Sequence, residues 1–97
     1  MDTQIKAIHF DITEKLTAFI NKKTEKLAHR YPSITAIEVS LKVVKPETSL
    51  NKRALIVVNV PTRDDVVAEK VADTFEEAID LSLEAIERQL EKLKGAK

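Results

Sequence analysis

Alternating apolar and polar residues mark four short segments of the chain, and this period of two predicts β-strands. In the clearest segment, 34–45, every second residue from Ile37 to Val43 is apolar. One face of this strand is therefore buried, and Lys42 points away from it. The other three segments are 3–8, 53–60 and 65–71. The exposed positions of the last one are charged, as those of an edge strand often are.

Two further segments repeat apolar residues every three or four positions, which predicts helices. The first begins after the letters "DITE", where Asp11 or Thr13 can cap the helix and Glu14 can reach back to complete the cap. Pro32 ends this helix because proline disfavours helical geometry at the residue before it. The apolar stripe of the helix consists of Leu16, Phe19, Ile20 and Leu27.

The second helix begins at "DTFE", in which Asp73 and Glu76 form a capping signal. Its apolar stripe consists of Phe75, Ile79, Ser82, Ile86, Leu90 and Leu93. At about 100° per residue, the opposite side collects six carboxylates, those of Glu76, Glu77, Asp80, Glu84, Glu87 and Glu91. We interpret this acidic side as solvated, and the carboxylates near Asp73 also suit the helix dipole. Arg88 and Lys92 share one flank, four residues apart.

The predicted order of elements is β-α-β-β-β-α, in one α+β domain that spans residues 1–97. Two helices with apolar stripes and a four-stranded antiparallel sheet with one apolar face predict a two-layer sandwich, with both helices on one face of the sheet. The segment 46–52 predicts a turn. This layout is similar to a double-stranded RNA-binding domain, whose last helix opens with basic residues. Here that helix opens with "DTFEEAID", so ordinary duplex-RNA binding is a poor fit.

Composition narrows the class of protein. The absence of cysteine excludes disulfides and thiolate metal sites, and the single glycine, Gly95, excludes a glycine-rich phosphate loop. No apolar run approaches the length of a bilayer span, and the first residues lack a signal-peptide pattern. We therefore expect a soluble, cytoplasmic protein that does not engage a membrane.

Acid–base chemistry near neutral pH could come only from His9 and His29. They lie on different predicted elements, and no serine has the setting of a nucleophile. Two histidines without an H-x-x-x-H spacing also make a poor metal site. We therefore expect no enzymatic activity, no metal, no cofactor and no small-molecule substrate.

The net charge is zero, from 16 basic and 16 acidic residues, which argues against a generic polyanion binder. Charges are nevertheless separated, since 21–30 is basic and 64–87 is acidic. The basic residues of the first helix are Lys22, Lys23, Lys26 and Arg30. They are either an ordinary solvated face or contacts for phosphate groups, which several cations together bind in a salt-sensitive way. If the helices lie side by side, Arg88 and Lys92 would join them. Lys42 and Lys45 would do so only if the sheet edge or its following loop wraps round.

Three stretches, "ITEKLTAFINKKTEKL", "VSLKVVK" and "ADTFEEAID…IERQLEKLK", resemble the ribosome hibernation-promoting factor and ribosome-associated inhibitor family. The resemblance covers nearly the whole chain in the family's order and spacing. It implies the β-α-β-β-β-α fold already predicted. Longer relatives continue into a second domain that pairs two ribosomes, and this chain, which ends at Lys97, resembles the short form.

The resemblance also implies a function. Members bind the small ribosomal subunit between head and body, and contact its 16S-type ribosomal RNA where messenger and the A- and P-site transfer RNAs would sit. They inhibit translation sterically and preserve idle ribosomes during stress or stationary phase, without chemistry. We accordingly expect a ribosome-hibernation protein that is monomeric off the ribosome.

Carried over residue by residue, the basic positions that match the family pattern are Lys23, Lys26, Lys42, Lys45, Arg88, Lys92 and Lys94, and Lys22 and Arg30 lie beside them. These nine are the expected RNA contacts. Relatives often have lysine where this chain has Ala85, so one phosphate contact is missing there. Four residues match the signature at the start of the last helix, with Phe75 in its aromatic position, and are interpreted as cap and core: Asp73, Ala78, Ile79 and Asp80.

One alternative function stays open at this point. The chain could be a protein-interaction module, unrelated to ribosomes, that binds a partner through its open sheet edge or its acidic helix face. Such a partner would survive ribonuclease treatment and would not follow ribosomes.

Overall fold

A computed structural model of the chain describes residues 2–44, 50–61 and 64–95, with side chains through Lys92. The predicted order of elements is confirmed. The strands are β1 (Asp2–Ile8), β2 (Ala36–Val43), β3 (Lys52–Asn59) and β4 (Val66–Ala72), and the helices are α1 (Glu14–Arg30) and α2 (Phe75–Gly95). Most of the turn predicted at 46–52 lies outside the described residues.

The four strands form one sheet in the order β1-β2-β3-β4. β2, β3 and β4 pair antiparallel, whereas β1 pairs with β2 in parallel, with Asp2 opposite Ala36 and Ile8 opposite Lys42. The expectation of a wholly antiparallel sheet is therefore wrong for β1. The physical reason is the connection: α1 carries the chain back to the starting end of β1, so β2 must run in the same direction.

Both helices cover one face of the sheet, as predicted. The sheet side of the core consists mainly of alternate residues of β2 and β3, namely Ile37, Val39, Leu41, Ala54, Ile56 and Val58. Ile20 of α1 and Ile79 and Ile86 of α2 close the core from the other side, and all three are fully buried. The strand β4 is an edge strand, also as predicted, and the Gln89 side chain ties α2 to it by donating to the Val67 carbonyl at 2.9 Å.

The helix caps resolve the alternatives in the sequence. Thr13 caps α1, because its Oγ1 accepts a hydrogen bond from the Leu16 amide at 3.1 Å. Thr74, not Asp73, caps α2, and its Oγ1 accepts from the Glu77 amide at 3.1 Å. Asp73 lies one residue too early for this role.

Asp73 instead ties the start of α2 to the chain before β3. Its carboxylate accepts a hydrogen bond from the Leu50 amide at 2.8 Å. Leu50 has the left-handed backbone angle φ 55, which is unfavourable for a branched side chain. Asp73 therefore helps to hold an otherwise unfavourable backbone conformation. Among the described residues, no helix combines the length and apolar character that a membrane span needs.

Candidate nucleic-acid interface

The two helices lie side by side on the sheet and enclose a groove between them. Its walls carry charges of opposite sign, basic on α1 and acidic on α2. The groove is lined by Lys23, Lys26, Leu27 and Arg30 from α1, and by Asp80, Leu83, Glu84 and Glu87 from α2. Three of the four expected cations of α1 thus reach this groove.

Two of these cations are paired across the groove. The Lys23 ammonium lies 3.3 Å from the Asp80 carboxylate, and the Arg30 guanidinium lies 3.6 Å from the Glu87 carboxylate. All four side chains remain substantially exposed, so each pair contributes about 0–1 kcal/mol to the free energy of unfolding and weakens with salt. These pairs link the two helices across the groove.

The same two cations also lie over aromatic rings of α1 and its C-cap. Lys23 Nζ is 5.3 Å from the centre of the Phe19 ring, and the Arg30 guanidinium is 5.8 Å from the centre of the Tyr31 ring. Both distances are within the range of a cation–π interaction. Lys23 and Arg30 are therefore each held by two kinds of neighbour.

A hydrogen bond closes the end of the groove. The buried Tyr31 side chain donates from Oη to the Glu91 carboxylate at 2.5 Å. This bond is the main cause that raises the pKa of the Tyr31 phenol above its ordinary value, because only the protonated phenol can donate to the carboxylate. Burial raises the pKa further, because it disfavours the charged form of the side chain.

Three carboxylates of α2 therefore face α1, which corrects the interpretation of the acidic side as simply solvated. Asp80, Glu87 and Glu91 all contact α1 or its C-cap. Asp80 is in consequence neither cap nor core, unlike Ala78 and Ile79, which are fully buried as expected. Helical periodicity identifies the side opposite the apolar stripe, but it does not say which flank a neighbouring helix will cover.

The cations of α2 lie beyond this acidic row. Arg88 is exposed and its guanidinium lies 3.0 Å from the Glu84 carboxylate one turn earlier. Glu84 also lines the groove, so a carboxylate stands between Arg88 and the cations of α1. Lys92 is exposed. Lys94 belongs to α2, but its side chain lies outside the description. The expected single basic surface is thus divided by an acidic row.

Lys42 lies on the other side of the molecule, on the sheet face that the helices leave open. It stands directly opposite Arg53 in the β2–β3 register. The two cations share a shallow depression, which is lined by Ile8, Ser40, Lys42, Arg53 and Leu55. Lys42 therefore does not extend the helix surface, and Lys45 lies outside the described residues.

Arg53 is a cation of this face that the sequence reasoning did not single out. Its guanidinium donates to the Glu69 carboxylate of β4 at 2.5 Å, and this bond lowers the pKa of Glu69 below its ordinary value. Its Nε is buried without a hydrogen-bond partner in the described part of the chain. The signal was present in the strand pattern, because Ala54, Ile56 and Val58 point inward and Arg53 must therefore point out.

Neither histidine forms an ion pair with another residue that the structure describes. His9 is exposed just after β1, and His29 is exposed in the last turn of α1. Within the described ranges, no three acidic or histidine side chains are grouped as metal ligands would be. The charged surfaces around the helices and on the open sheet face are therefore the strongest candidates for a site.

The fold of the chain is similar to that of proteins whose structures are solved. A search of curated proteins finds no significant match. Among solved structures, the chain is similar to a ribosomal subunit interface protein from Coxiella burnetii, with a TM-score of 0.79 and 25% identity over 99% of this chain and 100% of the other. The N-terminal domain of Protein Y from Thermus thermophilus shares the fold, with a TM-score of 0.78 and 23% identity over 96% and 99%.

The match to a protein family covers almost the whole sequence. Residues 3–97 match the family described as Sigma 54 modulation protein / S30EA ribosomal protein. The family resemblance noted in the sequence is thereby confirmed. Together with the fold, this match means that the chain belongs to the Sigma 54 modulation protein / S30EA ribosomal protein family.

Proposed function

We propose that the protein binds the small ribosomal subunit and inhibits translation by occupying the channel in which messenger and the A- and P-site transfer RNAs would lie. The family match over residues 3–97 is the observation that carries this proposal. The similarity to a ribosomal subunit interface protein, over the full length of both chains, supports it. The protein would act sterically, as a cytoplasmic hibernation factor of idle ribosomes in stress or stationary phase.

Ribosomal RNA is the proposed partner of the basic residues. Lys22, Lys26 and Lys92 are exposed, and none of them forms an ion pair with another described residue. Phosphates that replace their counterions would make binding salt-dependent. Arg88, Lys94, Lys23 and Arg30 would add contacts from the helix side.

Lys42 and Lys45 fit the same proposal from the opposite direction. Lys42 lies on the open sheet face, behind the helices as seen from the groove. A protein that fills a channel has RNA walls on more than one side, so cations on two faces of one small domain suit such a location. If the protein instead docked on a flat RNA surface, only one of its two faces would contact the RNA.

Co-sedimentation with purified small subunits tests the proposal. The wild-type protein should sediment with the subunits, be released by salt, and compete with transfer RNA. The variant Lys22→Ala/Lys26→Ala should bind more weakly and flatten the slope of log affinity against log salt by about two units. The control Lys52→Ala/Lys70→Ala removes the same charge from strand lysines that are not expected contacts and form no ion pair with another described residue.

The outcomes separate the proposed function from its alternative. Equal loss of binding in both double variants would mean that only net charge matters and that the contact assignment is wrong. If the wild-type protein binds no subunits but retains a protein partner after ribonuclease treatment, the interaction-module function replaces this one. The acidic face of α2 gives little support to the interaction-module function, because three of its carboxylates already contact α1 or its C-cap.

A further inference from the structure

The cations of α1 fall into two groups that differ in what surrounds them. Lys23 and Arg30 each have a carboxylate of α2 and an aromatic ring as neighbours. Lys22 and Lys26 have neither an ion pair nor a ring contact within the part of the chain that the structure describes. The groups alternate along less than three helical turns: α2 supplies the carboxylates of the paired group, and α1 and its C-cap supply the rings.

Asp80 and Glu87 need no ion pair to remain hydrated. Both side chains are well exposed, at 52% and 40% of their full area. The pairs therefore add little stability. They do neutralise two of the cations on the surface where phosphates are proposed to bind, and they place negative charge within a few ångströms of any incoming phosphate.

We propose that Asp80 and Glu87 act as internal competitors for phosphate, which hold Lys23 and Arg30 back from RNA and so limit the affinity of the protein for phosphodiester backbones. This inference rests on the proposed RNA-binding function and adds a residue-level control to it. The first phosphate contacts then fall to Lys22, Lys26 and Lys92. Lys23 and Arg30 contribute only where RNA displaces their carboxylates.

The exposure of the ion pairs limits how much they can lower the affinity for RNA. A surface ion pair of this kind is weak, so the need to break one pair lowers the affinity of the protein for RNA by no more than about fivefold. Removing both carboxylates should therefore tighten binding by roughly tenfold at low salt. Each additional contact with a single strand should also steepen the slope of log affinity against log salt by about 0.7.

The test compares two variants with the same change in net charge. Asp80→Asn/Glu87→Gln removes both competing carboxylates. Asp64→Asn/Glu77→Gln removes two exposed carboxylates that neither line the groove nor form ion pairs with described residues. Binding is measured by fluorescence anisotropy with a labelled poly(U) oligonucleotide across a salt series, and by co-sedimentation with small subunits.

We expect Asp80→Asn/Glu87→Gln to bind poly(U) and subunits about tenfold more tightly than the control variant, with a steeper salt slope. Equal affinities of the two variants would overturn the inference, because net charge alone would then explain any gain. A gain on poly(U) without one on subunits would also overturn it for the ribosome. If the double variant does not fold, Glu87→Gln alone should give about a threefold gain.

The two proposals can fail separately. If the wild-type protein does not bind subunits, the proposed function fails, yet a tenfold gain on poly(U) still supports competition by the carboxylates. If the wild-type protein binds subunits and the groove variant behaves as the control does, the function stands and the competition is refuted.

Discussion

Ile56 and Leu55 are consecutive residues of β3, yet they belong to different surfaces of the molecule. Ile56 is fully buried under the helices, whereas Leu55 is half-buried on the open face of the sheet, beside Lys42 and Arg53. The helix-covered face holds a continuous apolar core. The open face mixes ion pairs with single apolar side chains. Stability is therefore concentrated on one side of the sheet, which leaves the other side free to bind.

The two sides of the sheet also differ in how their charged side chains are arranged. On the helix side, Lys23, Arg30 and Arg88 each lie beside a carboxylate of α2. On the open face, Lys42 lies opposite Arg53, and like charges directly opposite each other across a sheet are unfavourable. Arg53 is also paired with the Glu69 carboxylate, which relieves part of that repulsion, whereas Lys42 forms no ion pair with another described residue. Both sides therefore keep cations that have no ion pair in the described part of the chain: Lys42 on the open face, and Lys22, Lys26 and Lys92 on the helix side.

The largest expected difference between the faces concerns stability. Ile56→Ala should lower the free energy of unfolding by about 2–5 kcal/mol, since it leaves a cavity in the core. Leu55→Ala should cost no more than about 1.5 kcal/mol, because this side chain is half-buried and its removal leaves no closed cavity. Urea denaturation of both variants measures the difference. Similar losses would mean that the open face is covered in solution.

The next effect concerns binding by the two faces. Lys42→Ala should weaken binding to small subunits about threefold, and Lys22→Ala/Lys26→Ala about tenfold. Because the faces lie apart, the losses should multiply to roughly thirtyfold in the triple variant. A triple variant no weaker than the double variant would show that Lys42 does not contact the RNA. Sedimentation at several salt concentrations provides the affinities.

A smaller effect is expected at the end of the groove. Tyr31→Phe should cost about 1 kcal/mol, because it removes the hydrogen bond to Glu91. The folded-state pKa of Tyr31 is raised, so this stabilisation is fully present below the unfolded value of 10.0 and is lost as pH rises through the folded-state pKa. Wild type and variant should therefore converge in stability in strong alkali. A constant difference up to that pH would contradict the bond.

The smallest effect is expected from the ion pair on the open face. Glu69→Gln should cost less than about 1 kcal/mol, because both partners are partly exposed. The folded-state pKa of Glu69 is lowered, so its contribution is present above the unfolded value of 4.5 and is lost as pH falls through the folded-state pKa. The acid limb of thermal stability should be shallower in the variant. An identical acid limb would exclude a stabilising pair.

Much of the fold could be predicted because it depends on local signals. The alternation in β2 and β3 identified which side chains are buried, including the outward position of Lys42. The capping signal leaves Asp11 and Thr13 as candidates for the first cap, and the structure shows that Thr13 is the cap. The prediction of Asp73 as the second cap is wrong, because Thr74 caps α2 instead. The Asp73 carboxylate accepts from the Leu50 amide, which only the folded chain brings to it.

The candidate site was predictable in its residues but not in its arrangement. Charge and family resemblance identified Lys23, Arg30 and Arg88 as cations of interest. They did not reveal that a row of α2 carboxylates would separate the cations of the two helices. Pairing between helices depends on how far each helix is rotated about its axis, and periodicity within one helix does not report that rotation.

By itself, the sequence determined the order of the elements, the burial of alternate strand residues, the end of α1 before Pro32 and the family of the protein, because these depend on short-range patterns along the chain. Only the tertiary structure decided the parallel pairing of β1 with β2, the ion pairs Lys23–Asp80 and Arg30–Glu87, and the position of Lys42 directly opposite Arg53. These features join residues that are distant in sequence, and the packing of whole elements determines which of them meet.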